Sequence, residues 1–395
     1  MKRKNYSGYT AYSYLTQGID YRPFDLAAET DRVPGYELGL TAEQEDRAQR
    51  LLADNVVVSL HDHPIRLPAR PEELSEYQKA AHVALGYAGL SRSGLDAVFE
   101  NLGGPGWSWQ DTITDLGMRL CDLAHQDFVV TAGTTDAIRT AHATGRVALV
   151  LGLEGAESIE GDIDRIDVLY GLGVRQLGVV YLEENALGYG LQAPVDHGLT
   201  ELGRKAVRRM NQLGMAIDLS HAGDRTALDV IEASEQPVLI THAGARAVWD
   251  TVRMKPDEVL AACAAKGGLI GREAAPHTTV SPAHRRHGIE SVMDHFRYCV
   301  DLVGIDHVAF GPDTFFGDHV GLHRALAGVL NLEKFFASGP ELVMTEYVTG
   351  LENPAECFPN ITRWLVRGGY SDEQVAAAVG GNVLRVLDRI WGAPS

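Results

Sequence analysis

The sequence predicts an α/β chain folded as a (β/α)8 TIM barrel, with an N-terminal arm and long loop insertions. Three observations carry this. From residue 56 onward there are eight short apolar runs, most of them separated by stretches with helical spacing. The segment 215–244 reads strand, helix, strand, and a right-handed crossover makes such strands parallel neighbours. The competing fold, an open doubly wound sheet, should carry GxGxxG after its first strand, and none is there.

Residues 1–40 are rich in Tyr, Gly and Pro and read as an arm laid over the body. Thr41 and Gln44 form a capping box that opens a helix through Leu52, so 1–55 is an arm and helix packed on a barrel spanning 56–395. VVVSLH (56–61) is the first strand, an apolar run too short for a helix. Residues 66–112 read as a long insertion, followed by a helix over 113–125. Strands are expected at 127–133, 147–155 and 174–182, with helices at 136–144 and around 163–171.

Thr200 caps an amphipathic helix that Gly214 ends. The runs AIDLSH and PVLITH follow, with Asp224 placed to cap the helix between them. GLIGRE (268–273) and HVAFGPD (307–313) complete the eight. Residues 314–360 exceed what a closing loop needs and read as a lid or a subunit contact. They carry Phe315, Phe316 and the pair His319/His323, which as plain loop histidines would be solvated. Ser371 and Gln374 form another capping box, opening a C-terminal helix.

The formal charge of −18 argues against binding nucleic acid or an anionic membrane surface, both polyanions. The basic start lacks an apolar h-region, no window reaches 18 consecutive apolar residues, and Cys121, Cys263, Cys299 and Cys357 form no CxxC pair. A cytoplasmic protein with reduced cysteines is expected.

Catalytic groups in such a barrel collect at the carboxyl ends of the strands. The first strand ends in His61-Asp62-His63, and because strand side chains alternate, the two histidines face one side while Asp62 points away. Glu154 sits in the otherwise apolar run LVLGLEG, where a carboxylate costs several kcal/mol unless something positive meets it, an arginine being the simplest partner. Strands five and six end in His221 and His242, and strand eight ends in Asp313. Five ligand-type residues and one further carboxylate at a common rim fit two metal ions bridged by Glu154, with Asp313 left to move a proton. Imidazole and carboxylate together favour zinc, and the chemistry is hydrolysis of an amide-like bond.

The stretches LEGAES, GLTELGRKAVRRMNQLGMAIDLSHAG, QPVLITHAGARAV, VRMKPDE, HVAFGPD and RGGYSDEQVAAAVGGNVLRVL occur in order from about residue 56 to the C-terminus. In them the chain resembles the membrane dipeptidase (renal dipeptidase-like) metallopeptidases of the amidohydrolase superfamily. The resemblance implies two Zn2+ ions, with Glu154 bridging, His61 on the first metal, and His221 and His242 on the second. It implies Asp313 as acid/base and Arg253 as the grip on a substrate's free carboxylate, where the residue alone could equally salt-bridge a surface Asp. The implied substrates are dipeptides, including those with C-terminal D residues, or N-acyl amino acids. A homodimer is implied as well.

Two departures stand out. His63 replaces the Asp of the family's His-x-Asp, making the first site one charge more positive. Tyr181 stands where the family often has a substrate-contacting His; its phenol can donate a hydrogen bond to a carbonyl oxygen, or simply line the rim. Hydrolysis of another small amide, cyclic amide or carbamate, and a metal-binding homologue without turnover, remain the alternatives.

Overall fold

The computed structural model describes residues 4–104, 106–328 and 343–392. Ten strands form one curled parallel sheet: β1 (Val58–Arg66), β2 (Ala97–Asn101), β3 (Val129–Thr131), β4 (Val147–Leu153), β5 (Val174–Gly178), β6 (Ala216–Asp218), β7 (Leu239–Ala243), β8 (Leu269–Arg272), β9 (Val308–Phe310) and β10 (Phe315–Phe316). The order β10-β1-β2-β4-β5-β6-β7-β8-β9 runs once around. The chain leaving β9 then returns to β1, where the Asp313 N–H donates to the His61 carbonyl at 3.0 Å. Gly311 permits that closure, since a Cβ there would lie 2.2 Å from the Thr241 carbonyl oxygen and 2.9 Å from the His61 nitrogen. The fold is the expected α/β barrel with its helices outside.

One strand assignment needs correction. Ala97–Asn101 lies inside the stretch read as the insertion 66–112, yet it is the second barrel strand, paired in continuous register with β4. The run 127–133 supplies only the three residues of β3, which pair with the first half of β4. Only Ala97–Phe99 of this strand are apolar, because Glu100 and Asn101 close it. The Glu100 carboxylate is buried 3.0 Å from the Arg119 guanidinium, on the helix Trp109–Leu123. A charge at that position is therefore compatible with a fully covered strand.

Helices start at the expected capping boxes of Thr41 and Ser371 and at the Thr200 cap, whereas the helix expected over 113–125 begins earlier, at Trp109, from an unforeseen capping box at Ser108. Gly214 takes the left-handed conformation that ends Glu201–Leu213. Asp224 does not cap its helix. It pairs with Arg246, while Asp196 Oδ2 accepts the Arg225 and Thr226 N–H groups at 2.8 and 3.0 Å. A remote carboxylate thus does what a local one was expected to do.

The arm is tied down by polar contacts: Lys4 Nζ lies 2.7 Å from Asp96, and the Tyr9 hydroxyl and Tyr12 N–H each reach Asp122 at 2.7 Å. Of the stretch 314–360, the described part forms β10 and a helix (His319–Leu326), and begins the helix Pro354–Arg367; residues 329–342 lie outside the described residues. No helix among the described residues is long and apolar enough to cross a membrane. Cys263, Cys299 and Cys357 are buried and Cys121 is exposed, all with free thiols.

Candidate metal centre and substrate cavity

The strand ends bring six of the sequence-predicted side chains to one place. His61 and His63 project from the same face of β1, and Asp62 turns the other way, where it accepts hydrogen bonds from Ser59 and Thr314. His61 Nε2 lies 3.1 Å from Glu154 Oε1 and 3.4 Å from Asp313 Oδ1. His63 Nε2 lies 3.3 Å and 3.1 Å from the same two oxygens. The other oxygen of Glu154, Oε2, lies 3.4 Å from His221 Nε2, and His221 Nε2 lies 3.0 Å from His242 Nε2. Glu154 thus faces His61 and His63 with one oxygen and His221 with the other.

Each of these positions is held from behind. The Glu154 N–H donates to Asn101 Oδ1 at 2.9 Å, and Gly178 lets β5 approach so closely that a Cβ there would lie 1.7 Å from the Glu154 carbonyl oxygen. His242 Nδ1 is 2.8 Å from Thr241 Oγ1, its backbone N–H donates to Ser220 Oγ at 3.0 Å, and its ring stacks on His61 with centroids 3.7 Å apart. Asp313 sits at φ 60°, a left-handed conformation costing about 1 kcal/mol or more for a residue with a Cβ. The hydrogen bond of its N–H to His61 keeps it there.

The electrostatics divide the centre in two. Burial disfavours a charged imidazole at His61 and His63, but the carboxylates of Asp313 and Glu154 outweigh it, pushing them up to about 10 and about 9. Burial likewise opposes the charged carboxylates, and the same imidazoles hold Glu154 and Asp313 well below the usual range. His221, buried and beside the Arg253 charge, is pushed down to about 3, and burial with the His61 charge holds His242 well below its ordinary value.

The donor set fits metal ions. His61, Glu154 and His242 present ligand atoms that lie within 4.8 Å of one another, as do His61, His63 and Asp313. His61 Nε2 and His221 Nδ1 are buried without a hydrogen-bond partner. Two neutral imidazoles meeting nitrogen to nitrogen, beside anionic oxygens, are a poor hydrogen-bond network and a good N/O ligand set for a borderline divalent cation.

A cavity of about 510 Å³ opens onto this centre, its wall including Tyr181, His221, Arg253, Asp313, Phe315 and His319. The Tyr181 ring lies 4.4 Å from that of His221, and its N–H donates to Glu157 at 2.7 Å. Burial, then the nearby Glu154 and Asp313 charges, hold its phenol well above the usual value, so it stays protonated. Arg253 is buried, with Nη1 donating to the Ser220 carbonyl at 3.4 Å and Nη2 to that of His242 at 3.1 Å. It also forms an ion pair with Glu273.

Three contributors escaped sequence reasoning. Asn101 was hidden with β2, and Glu273 read only as the end of a strand. His319 is 4% exposed and lines the cavity, so it is not the solvated loop histidine that its position suggested. The available signal was a pair of polar residues closing a short apolar run, Glu100-Asn101 after Ala97–Phe99 and Arg272-Glu273 after Leu269–Gly271.

A closed parallel barrel whose rim gathers imidazoles and carboxylates around a shared glutamate defines a (β/α)8 protein with a candidate metal site at its rim. The particular family follows from comparison: the description "membrane dipeptidase (peptidase family M19)" matches residues 45–338, and the chain belongs to that family. It is 29% identical over 287 residues to dipeptidase tcpJ of Claviceps purpurea, covering 72% of this chain and 60% of that protein. With dipeptidase 3 of Rattus norvegicus it shares 27% identity, covering 70% of this chain and 51% of the other. The chain spans about three fifths or less of the length of most of the curated relatives it matches. An amidohydrolase from Pseudomonas aeruginosa superposes with a TM-score of 0.70 at 26% identity, covering 88% of this chain and 99% of that one. A metallo peptidase from Rhodobacter sphaeroides, liganded with a phosphinate mimic of the dipeptide L-Ala-D-Ala, shares the fold at a TM-score of 0.67 and 21% identity, covering 86% and 100%.

Proposed function

We propose that the chain is a zinc-dependent hydrolase that cleaves the amide bond of a small substrate ending in a free carboxylate. The substrate is a dipeptide, including one with a C-terminal D residue, or an N-acyl amino acid. The observation that carries this reading is the two-sided placement of Glu154, one oxygen toward His61 and His63 and the other toward His221. That is the placement a carboxylate needs to bridge two ions, so we assign two zinc ions per chain. His61, His63 and Glu154 would hold the first; Glu154, His221 and His242 would hold the second. Bound zinc would supply Lewis-acid polarisation of the scissile carbonyl.

The chain's own groups do the rest. Arg253 orients the substrate through its terminal carboxylate. Tyr181, kept protonated, donates to the carbonyl oxygen as charge develops on it. Asp313 takes a proton from the attacking water at a carboxylate oxygen and returns it to the leaving amine nitrogen. The apolar part of the wall, with Phe315 and Leu322, limits water around the reacting bond.

A second reading, hydrolysis of a neutral small amide, cyclic amide or carbamate, has one observation in its favour: Arg253 already carries Glu273. A panel of dipeptides, N-acyl amino acids and cyclic amides, assayed after zinc reconstitution, separates the two. Turnover confined to carboxylate-terminated substrates supports the first reading, and turnover of neutral amides alone removes it. We further propose a cytoplasmic homodimer that needs neither nucleic acid nor membrane; sedimentation at working concentration tests the dimer.

A further inference from the structure

Glu273, the residue after β8, is entirely buried (0% exposed) and holds its carboxylate against the guanidinium of Arg253, itself 3% exposed. Both terminal nitrogens of Arg253 are already engaged. Nη1 donates to the Ser220 carbonyl, and Nη2 donates to the His242 carbonyl and meets Glu273 Oε2. Nη2 therefore already serves a carbonyl and lies against a carboxylate. A guanidinium offers two edges for parallel two-point binding, Nη1 with Nη2 and Nε with Nη2, and both use Nη2. A second carboxylate entering from the cavity cannot grip either edge while Glu273 keeps its place.

The charge balance points the same way. Arg253 and Glu273 together are neutral, so the positive charge that should attract a substrate's carboxylate is already cancelled in the free protein. The other charged and polar groups around Glu273 are Arg272 on its own strand, Thr278 in the loop that follows, and Asp313 beyond β9. Both Glu273 oxygens are buried without a geometrically formed hydrogen bond, so the carboxylate is held by its ion pair with Arg253.

We propose that Glu273 is a specificity-determining residue: a built-in carboxylate that occupies Arg253 until the substrate's own carboxylate takes its place. This rests on the carboxylate-terminated substrate proposed above. Binding then requires the chain to exchange one anion for another on Arg253, and Glu273 sets how strongly the site prefers a carboxylate over a neutral end. Even beside Arg253, whose charge lowers it, burial pushes the Glu273 carboxyl up to about 7, so losing that partner favours its protonated form further.

Glu273→Gln keeps the shape and an oxygen for Arg253 while removing the competing charge. In the zinc-loaded enzyme, KM for alanyl-alanine should fall about tenfold, equivalent to about 1.4 kcal/mol, while kcat changes little. The C-terminal amide of the same dipeptide should show no change. An equal change for both substrates, or a rise in KM for the dipeptide, overturns the proposal. Calorimetry separates its failure from that of the functional reading. Even if no peptide is turned over, Glu273→Gln should bind propionate more tightly than the unmodified protein does and propionamide equally. Unmodified protein should also take up a proton near pH 7 on binding propionate, measured in buffers of different ionisation enthalpy. Propionate binding without proton uptake, or unaltered by Glu273→Gln, overturns it.

Discussion

The ring of His63 lies flat against that of Phe315, with centroids 4.2 Å apart and planes 8° from parallel. The two residues face each other in the pairing of β1 with β10, so the backbone register itself delivers the stack. The stack fixes the plane of the imidazole, and its Nε2 is aimed at Glu154 and Asp313.

Phe315→Ala should therefore weaken the first metal while leaving the second in place. The expected loss is about 10-fold or more in affinity, the scale on which groups that orient a ligand act. Titration of the metal-free protein with zinc reads it as a separation of two binding steps. Two steps unchanged by Phe315→Ala would show that His63 is not a ligand, or needs no support.

His63→Asp is the complementary change. It restores an anionic group where this chain has a neutral imidazole, and should tighten the first metal. Zinc content after mild chelation is the measurement. Content and activity both untouched by His63→Asp would make His63 a bystander.

Metal loading should also release protons. Without metal, His61 and His63 sit at about 10 and about 9, so at pH 7.5 both are charged and must lose a proton to become ligands. About two protons per chain should appear in unbuffered solution as zinc is added, and apparent affinity should rise with pH up to about 9. Because both values lie above the 6.5 of a free histidine, these pairs stabilise the metal-free fold fully below about 6.5. That contribution disappears as pH rises through 9 to 10. Thermal melting with and without chelator shows the effect as a metal dependence that grows with pH.

Much of this centre was legible because its residues lie where the chain's periodicity changes. His221 lies three residues past one short strand and His242 near the end of the next, with one helix between them, and His61 and His63 share a face through simple alternation. Glu154 announces itself as a charge in an apolar run. What stayed hidden depends on partners far away in sequence. The strand carrying Glu100 lay unnoticed in the stretch read as an insertion, because the charge that covers Glu100 is on Arg119, nineteen positions on. Glu273 looked like the end of a strand until Arg253, twenty positions earlier, turned back on it. His319 is buried because its helix returns over the cavity, a placement that no local pattern encodes.

Asp313→Asn should retain both metals and lose about 10²-fold or more in kcat, the usual scale for a proton-transfer group. The position of Asp313 adds a second readout. Its Oδ1 stands as near to His61 and His63 as Glu154 does. If it were a required ligand rather than the proton carrier, Asp313→Asn would also lower zinc content. Full metal with lost turnover assigns the proton; lost metal assigns ligation.

Arg253→Lys tests the carboxylate grip itself. A lysine keeps the charge but cannot offer two parallel donors, and it cannot reach Ser220, His242 and Glu273 together as Arg253 does. For a dipeptide, kcat/KM should fall by about 2–4 kcal/mol, mostly through KM, as when one partner of a desolvated charge pair is altered. Because Arg253 also steadies the backbone of both second-site histidines, part of any loss could come from a loosened metal. The amidated dipeptide distinguishes these contributions. Amidation of the substrate and Arg253→Lys remove the same contact, so each alone should be costly and both together little worse than one. A metal defect would instead add to the cost of amidation in full. Additive losses, with zinc content reduced, would place Arg253 among the supports of His221 and His242 and move the substrate's carboxylate elsewhere.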